Sequence, residues 1–337
     1  MKIFEHGGQI EKFAQDLGCE VSEIIDLSSN INFIKPKIDL DFNNLDISSY
    51  PTYDKLYEKI AKNYNINVNQ MELFNGGSSA IFTLFKHLAL EHCTIYSPAY
   101  LEYKKAAMNF DYKIHSINRL ENIQEEIKEN SFVVFVNPST PDGMYYELEE
   151  LINMWISKNC TILIDESFLD FCDGISAIKY LEDYDKLYIL KSMTKFYSSA
   201  GIRVGTIVSN KQNISSLKEF EPMWKLSHFD STYLQAALDD KEFKQISKDI
   251  NIQNKIQLEE ILNNSILVDL VYKSYANYVL VKLKNISAKE FQEKLKPYKI
   301  MVRDCSNFDY LDESFVRIAV KAKSANKALK EVLNNIC

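Results

Sequence analysis

Apolar positions change their spacing along the chain in a way that divides it. Runs at 71–74 (MELF), 94–96 (TIY), 131–136 (SFVVFV), 160–164 (CTILI), 187–190 (LYIL) and from Val204 are short and mostly near-continuous. Strands buried on both faces of a parallel sheet read this way. Between several of them, apolar residues recur three and four apart. Leu56, Ile60 and Tyr64 make one stripe, behind Asp54 as the expected N-cap. The run AIFTLFKHLAL makes another, and Leu148, Leu151, Ile152 and Trp155 a third. Strands near 72, 94, 133, 162, 188 and 206 alternating with helices predict an α/β domain on a largely parallel sheet. Ahead of it, Ile10, Phe13, Ala14 and Leu17 have helical spacing that stops at Gly18.

The pattern changes after Asn210. Two helical stretches, about 212–225 and 230–263, lead into strand-like LVDLVY (267–272) and YVLVKL (278–283). A helix near 288–296, two further strand candidates (KIMVRDC and FVRIAVK) and a helix from about Ser324 follow. This predicts a smaller α+β lobe. The expected division is a large domain over 45–235 and a small one made from 1–44 and 236–337.

Composition narrows the function classes. Of 337 residues, 46% are hydrophobic and 26% charged, as in an ordinary folded domain. A net charge of −8 argues against nucleic acid as the main partner. No apolar run approaches the roughly 20 residues of a membrane helix. The start, MKIFEHGGQIEKF, has no apolar signal core. The six cysteines are scattered with no C-x-x-C pair, so reduced thiols in a cytoplasmic protein are expected and a zinc site is not.

The chemistry gathers at strand ends. LYILKSMTKFYSSAGIRVG places Lys195 among Ser192, Thr194 and small residues, with Arg203 eight positions on. Such a lysine can hold an aldehyde as a Schiff base, while the hydroxyls and the arginine hold a phosphate beside it. Asn75-Gly76-Gly77-Ser78-Ser79 lies between a strand and a helix, where free N–H groups and the helix dipole favour an anion. No Gly-Lys-Ser/Thr follows, so this is not a Walker loop. Tyr100 follows a strand end and could stack on a flat ring. Asp165 ends a strand where parallel sheets bind ligands. A polar loop, Ser28-Ser29-Asn30-Ile31-Asn32, and a rigid one, Asn137 to Gly143, complete the set.

In this order the motifs resemble the fold-type I pyridoxal-phosphate enzymes, in the branch holding histidinol-phosphate aminotransferase and threonine-phosphate decarboxylase. The resemblance covers nearly the whole chain. It implies a mainly parallel central sheet flanked by helices, a smaller α+β lobe and a homodimer. It makes Lys195 the Schiff-base lysine and Asp165 the partner of the pyridine nitrogen. Tyr100 becomes the ring-stacking aromatic. Gly76, Gly77, Ser78, Ser192, Thr194 and Arg203 become phosphate-side residues, joined by Tyr50 from the neighbouring subunit. Arg303 and Arg317 are the implied anion grips, with His6, Gly8 and Asn32 closing over them.

HGGQIEKFAQDLG, IIDLSSNIN and VRDCSNF…FVRIAVK are more similar to the decarboxylase branch. Phe168 lies where the aminotransferases usually carry a tyrosine bonded to the cofactor's phenolic oxygen, a bond phenylalanine cannot make. Three departures stand out. The loop Asn-Pro-Ser-Thr-Pro-Asp-Gly puts Thr140 where an asparagine is usual, Ser79 replaces an acidic residue, and Phe33 replaces a proline. The expected reaction is decarboxylation of phosphoserine or phosphothreonine. An aminotransferase acting on a phosphorylated substrate is the alternative, and a non-catalytic cofactor-binding protein the remote one.

Overall fold

The computed structural model describes residues 8–336. Seven strands form the central sheet, in the spatial order Met71–Phe74, Gly205–Val208, Leu187–Lys191, Thr161–Asp165, Phe132–Val136, His92–Ser97 and Lys113–Asn118. All pairings are parallel except those of Gly205–Val208, which runs antiparallel to both neighbours. The apolar runs are continuous because each strand feeds two cores. Val133, Phe135, Ile162, Ile164, Leu187 and Ile189 face one side, with Leu56, Ile60, Leu151 and Trp155. Phe132, Val134, Leu163, Tyr188 and Leu190 face the other, with Leu84, Phe85 and Tyr103. Helices Asp54–Tyr64 and Glu149–Ser157 cover the first side, and Gly76–Leu88 and Leu101–Asn109 the second.

The strand Lys113–Asn118 has no apolar run because, unlike the buried edge strand Met71–Phe74, it meets solvent. It pairs on one side only, and its six positions are mostly exposed or half-buried. Asp54 is not the N-cap of its helix. Tyr53 holds that place without a side-chain bond, and Asp54 lies in the first turn. There its carboxylate complements the helix dipole instead.

The small lobe has a four-stranded sheet in the order Arg303–Asp304, Phe315–Ala319, Tyr278–Leu283 and Val268–Val271. A two-stranded parallel ladder, Ile25–Asp26 with Ile300–Met301, ties the N-terminal segment to it. Helices Phe243–Asn263, Ala288–Leu295 and Lys323–Asn335 close its core around Val279, Phe291, Val316 and Leu329. The expected boundary at 235/236 falls inside helix His228–Asp239, which packs on helix Asp54–Tyr64 of the large domain. The next helix is the bridge between the lobes. Its Phe243 enters the large core, and its Leu258 and Leu262 enter the small one.

Candidate active site

A cavity of about 380 Å³ opens at the C-terminal ends of the parallel strands, between the two lobes. Gly77, Ser78, Tyr100, Thr140, Asp165, Ser192, Thr194, Lys195 and Arg203 line it from the large domain. Gly8, Arg303 and Arg317 line it from the other side.

One corner is built by close backbone approach. Gly76 has φ +80°, and a Cβ there would sit 2.1 Å from Nη2 of Arg203. A Cβ on Gly205 would sit 2.7 Å from the backbone of Gly76 and Gly77. Only glycine allows the helix start at 76 to nest against the 203–205 segment. The Arg203 guanidinium is oriented by Nη1 donating to the Ala200 carbonyl at 2.9 Å, and its backbone N–H donates to Asp230 Oδ1 at 2.8 Å. Ser78 Oγ and the Tyr100 hydroxyl are 3.2 Å apart, and Ser192 Oγ and Thr194 Oγ1 3.0 Å. A 13-residue helix, Gly76–Leu88, starts at the same corner, and its Gly77 and Ser78 line the cavity. A guanidinium, hydroxyls and a helix N-terminus are together a dianion cradle.

Lys195 projects from a one-turn helix, Met193–Phe196, directly after a central strand. Burial pushes its amine below the ordinary value. Asp165 opposes this, and the guanidinium groups of Arg317 and Arg203 add to it. Nζ lies 5.2 Å from the centre of the Phe168 ring. The Asp165 carboxylate is buried and held on both oxygens. The backbone N–H and hydroxyl of Ser167 donate to Oδ1 at 2.9 and 2.5 Å, and the Tyr103 hydroxyl donates to Oδ2 at 2.6 Å.

The opposite wall is cationic. Arg303 and Arg317 are register partners on antiparallel strands, so both side chains stand on one face of the small sheet. Arg317 donates from Nη1 to Thr140 Oγ1 at 3.3 Å and from Nη2 to the Ser28 carbonyl at 3.1 Å, and lies 5.0 Å from the Tyr278 ring centre. Its Nε is buried without a partner. Arg303 donates from Nη2 to Asn307 Oδ1 at 2.9 Å. Like charges directly opposite in a sheet repel, and an anion between them removes the penalty.

The structure does not bring every expected residue to the cavity. Asn32 is buried beneath it, donating to the Phe196 carbonyl and Ser247 Oγ and accepting from Asn251. Its bonds are to helix Phe243–Asn263 and the lysine turn, which makes it a tie between lobes. Gly76 shapes the corner from behind Arg203. Tyr50 is 71% exposed and stacks on Trp224 at 4.1 Å, away from this chain's own cavity lining. His6 lies outside the described residues. Gly8 lines the cavity, and its N–H donates to Ser28 Oγ at 3.1 Å.

Sequence reading missed Tyr103, Ser167 and Phe308. It also missed the buried pair Arg119–Asp142, which holds the 137–143 loop. Tyr103 carried one usable signal, its place three residues after Tyr100 at the start of a helix.

These features define a fold-type I pyridoxal-phosphate transferase: a seven-stranded sheet with one reversed strand, a buried lysine, a strand-end aspartate and an anion cradle. The chain belongs to the aminotransferase class I and II family, which it matches over residues 24–336. It is 29% identical to a putative threonine-phosphate decarboxylase of Caldanaerobacter subterraneus, over 100% of this chain and 95% of that protein. It is 28% identical to the adenosylcobalamin biosynthesis bifunctional protein CobDQ of Leptospira interrogans, of whose length the chain spans 41%. Among solved structures, L-threonine-O-3-phosphate decarboxylase from Porphyromonas gingivalis superposes with a TM-score of 0.82 at 24% identity, covering 93% of this chain and 99% of that one. Histidinol-phosphate aminotransferase from Clostridium acetobutylicum gives 0.79 at 28% identity, covering 93% and 100%. Histidinol-phosphate aminotransferase from Sinorhizobium meliloti, solved with pyridoxal-5′-phosphate, gives 0.83 at 15%, covering 98% and 95%.

Pyridoxal 5′-phosphate is the cofactor of this family. The residues present fit it: a glycine cradle filled by Arg203 suits the phosphate, and a buried amine with a lowered proton affinity suits the aldehyde.

Proposed function

We propose that the protein decarboxylates an O-phospho-L-amino acid, phosphothreonine or phosphoserine, to a phosphorylated amino alcohol and carbon dioxide. The observation that carries this reading is the arginine pair. Arg303 and Arg317 face one cavity from adjacent strands, which suits a substrate bearing two anionic groups. Relatives named threonine-phosphate decarboxylase support the same substrate class.

In this reading, with Gly76 shaping the turn behind Arg203, the residues Arg203, Ser78, Ser192, Thr194 and the N–H group at Gly77 would hold the cofactor phosphate. Tyr50 reaches it from a second copy of the chain in a homodimer. Lys195 would hold the aldehyde carbon, Tyr100 would lie against the ring, and Asp165 would face the ring nitrogen. When bound, the cofactor supplies an electron sink for the bond broken at the substrate's Cα. Arg303 and Arg317, with the loop from Ser28 and with Gly8, would orient the substrate so that its Cα–carboxylate bond stands perpendicular to the ring. Lys195, freed when the substrate's amine takes its place on the aldehyde carbon, would deliver a proton from Nζ to Cα as carbon dioxide leaves. Phe168 contributes an apolar wall beside the lysine and offers no hydroxyl.

The second reading is a phosphate-specific aminotransferase. The 28% identity to the Clostridium histidinol-phosphate aminotransferase favours it. The deciding experiment offers holoenzyme phosphoserine and phosphothreonine separately with no keto acid. Carbon dioxide and a phosphorylated amino alcohol are expected. Conversion of the cofactor to its amine form without carbon dioxide would transfer the assignment to the aminotransferase. Loss of activity in Arg317→Ala with binding and turnover intact in Arg303→Ala would sink the two-anion arrangement.

A further inference from the structure

Asp165 is reached by a group outside the cavity lining. The segment Tyr100-Leu101-Glu102-Tyr103 is the first turn of helix Leu101–Asn109, closed by the Tyr103 N–H donating to the Tyr100 carbonyl at 3.2 Å. Residues three apart in that turn sit on neighbouring faces. Tyr100 lines the cavity, and its ring meets that of Tyr103 edge-on at 6.2 Å and 86°. Tyr103 is fully buried, and its hydroxyl donates to Asp165 Oδ2 at 2.6 Å. That length is typical of a hydroxyl bonded to a charged acceptor. Ser167 occupies Oδ1 with two donors, so Oδ2 is the oxygen with fewer donors.

We propose that Tyr103 is a positioning residue: by donating to Oδ2 it fixes the Asp165 carboxylate and limits its basicity toward the ring nitrogen of the cofactor. The proposal rests on Asp165 being the partner of that nitrogen. A carboxylate sharing its charge with a phenol pulls less strongly on the ring-nitrogen proton, so the proton stays on the ring and the ring stays cationic. Without the phenol the proton moves toward Asp165 and the sink weakens. The other charged or titratable groups around the pair are Lys195, Arg203 and Arg317 across the cavity, and Tyr100 and Glu102 on the same helix. The same turn also links two walls of the cavity. Tyr100 is within 3.2 Å of Ser78 in the phosphate corner, and Tyr103, one turn on, holds the aspartate.

The test is an absorbance titration of the holoenzyme against pH, with kcat measured on the same samples. A less cationic ring lets the Lys195-linked nitrogen keep its proton to higher pH. Tyr103→Phe is therefore expected to raise the absorbance midpoint by about half a unit or more, with kcat reduced about tenfold. Placing 3-fluorotyrosine at position 103 alone keeps the ring and strengthens the donor, so it should move the midpoint down. It also keeps the test open if the phenylalanine variant does not fold. A midpoint unmoved by either change, with only the melting temperature lowered, would overturn the proposal and leave Tyr103 as packing. Asp165→Asn separates the underlying reading. If that variant keeps the wild-type spectrum and cofactor affinity, the assignment of Asp165 fails and Tyr103's role falls with it.

Discussion

A lysine in water is a cation over the whole physiological range, and the surroundings of Lys195 weaken that preference. Burial disfavours its charge first, and Arg317 and Arg203 repel it, with Asp165 the opposing influence. Condensation with an aldehyde needs the neutral amine, so cofactor loading should accelerate as pH rises, with a midpoint below 10.5. Arg317→Met removes a repelling charge and should move that midpoint up; stopped-flow absorbance of apoprotein mixed with cofactor would read it. Stability follows the same proton. Between the lowered folded value and 10.5 the unfolded chain binds more protons, so the apoprotein should gain stability as pH rises through that window. Lys195→Met should flatten the gain in denaturant titrations at stepped pH. Gly76 makes the complementary case in pure geometry. Gly76→Ala adds a methyl 2.1 Å from the Arg203 guanidinium at a φ that side chains resist. On the proposed role of Arg203, losing one charge-assisted phosphate contact should lower cofactor affinity by roughly 10- to 100-fold, measurable by equilibrium dialysis.

At the scale of elements, the loop from Asn137 to Gly143 shows what spacing alone conveys. Its polarity and position after a buried strand were readable, but its anchor was not. Arg119, just beyond the edge strand, grips Asp142 with both terminal nitrogens at 2.8 and 2.7 Å and also donates to the carbonyls of Pro98 and Thr140. Both charges are buried. This places Thr140 so that its hydroxyl accepts from Arg317, linking an edge strand to the arginine wall. Nothing in local sequence connects residues 119 and 142, because the link depends on strands meeting in space. The strands were legible where both faces are buried and illegible at the Lys113–Asn118 edge, where one side meets solvent. The lysine turn, the glycine turn and Asp165 were legible as polar or glycine-rich turns at the ends of apolar runs, and the structure gathers them at one cavity. Tyr103 was missed because its bond to Asp165 depends on a helix and a strand meeting in space. Arg119→Met strands Asp142 as a buried unpaired charge and should cost roughly 3–5 kcal/mol in chemical denaturation. Pairing it with Asp142→Leu should recover much of that loss, because no charge is then left without a partner.

The whole molecule carries a surface that a single chain does not use. Tyr50 and Trp224 stack in the open, and Ile47, Phe220 and Met223 are also exposed, with the half-exposed Phe229 against Phe42. Exposed apolar groups of this size mark association surfaces. Beneath them, Lys225 is buried between Glu72 and Glu221, and its carbonyl accepts from Asn75 at 3.1 Å. The patch is thereby fastened to the residue that precedes the glycine turn. The proposed homodimer requires a second copy seated on this surface to bring its Tyr50 to a cofactor corner. Sedimentation of the wild type should give a dimer, and Trp224→Glu should shift it toward monomer with weaker cofactor retention. A sharper test mixes two inactive proteins. Lys195→Ala lacks the amine, and Tyr50→Ala lacks the group reaching across. If Tyr50 serves the partner's site, one site in each mixed dimer holds Lys195 in its own chain and receives Tyr50 from the other, so activity should return toward a quarter of wild type at equal mixing. If Tyr50 serves its own chain, the mixed dimer carries one defect in each site and no activity returns.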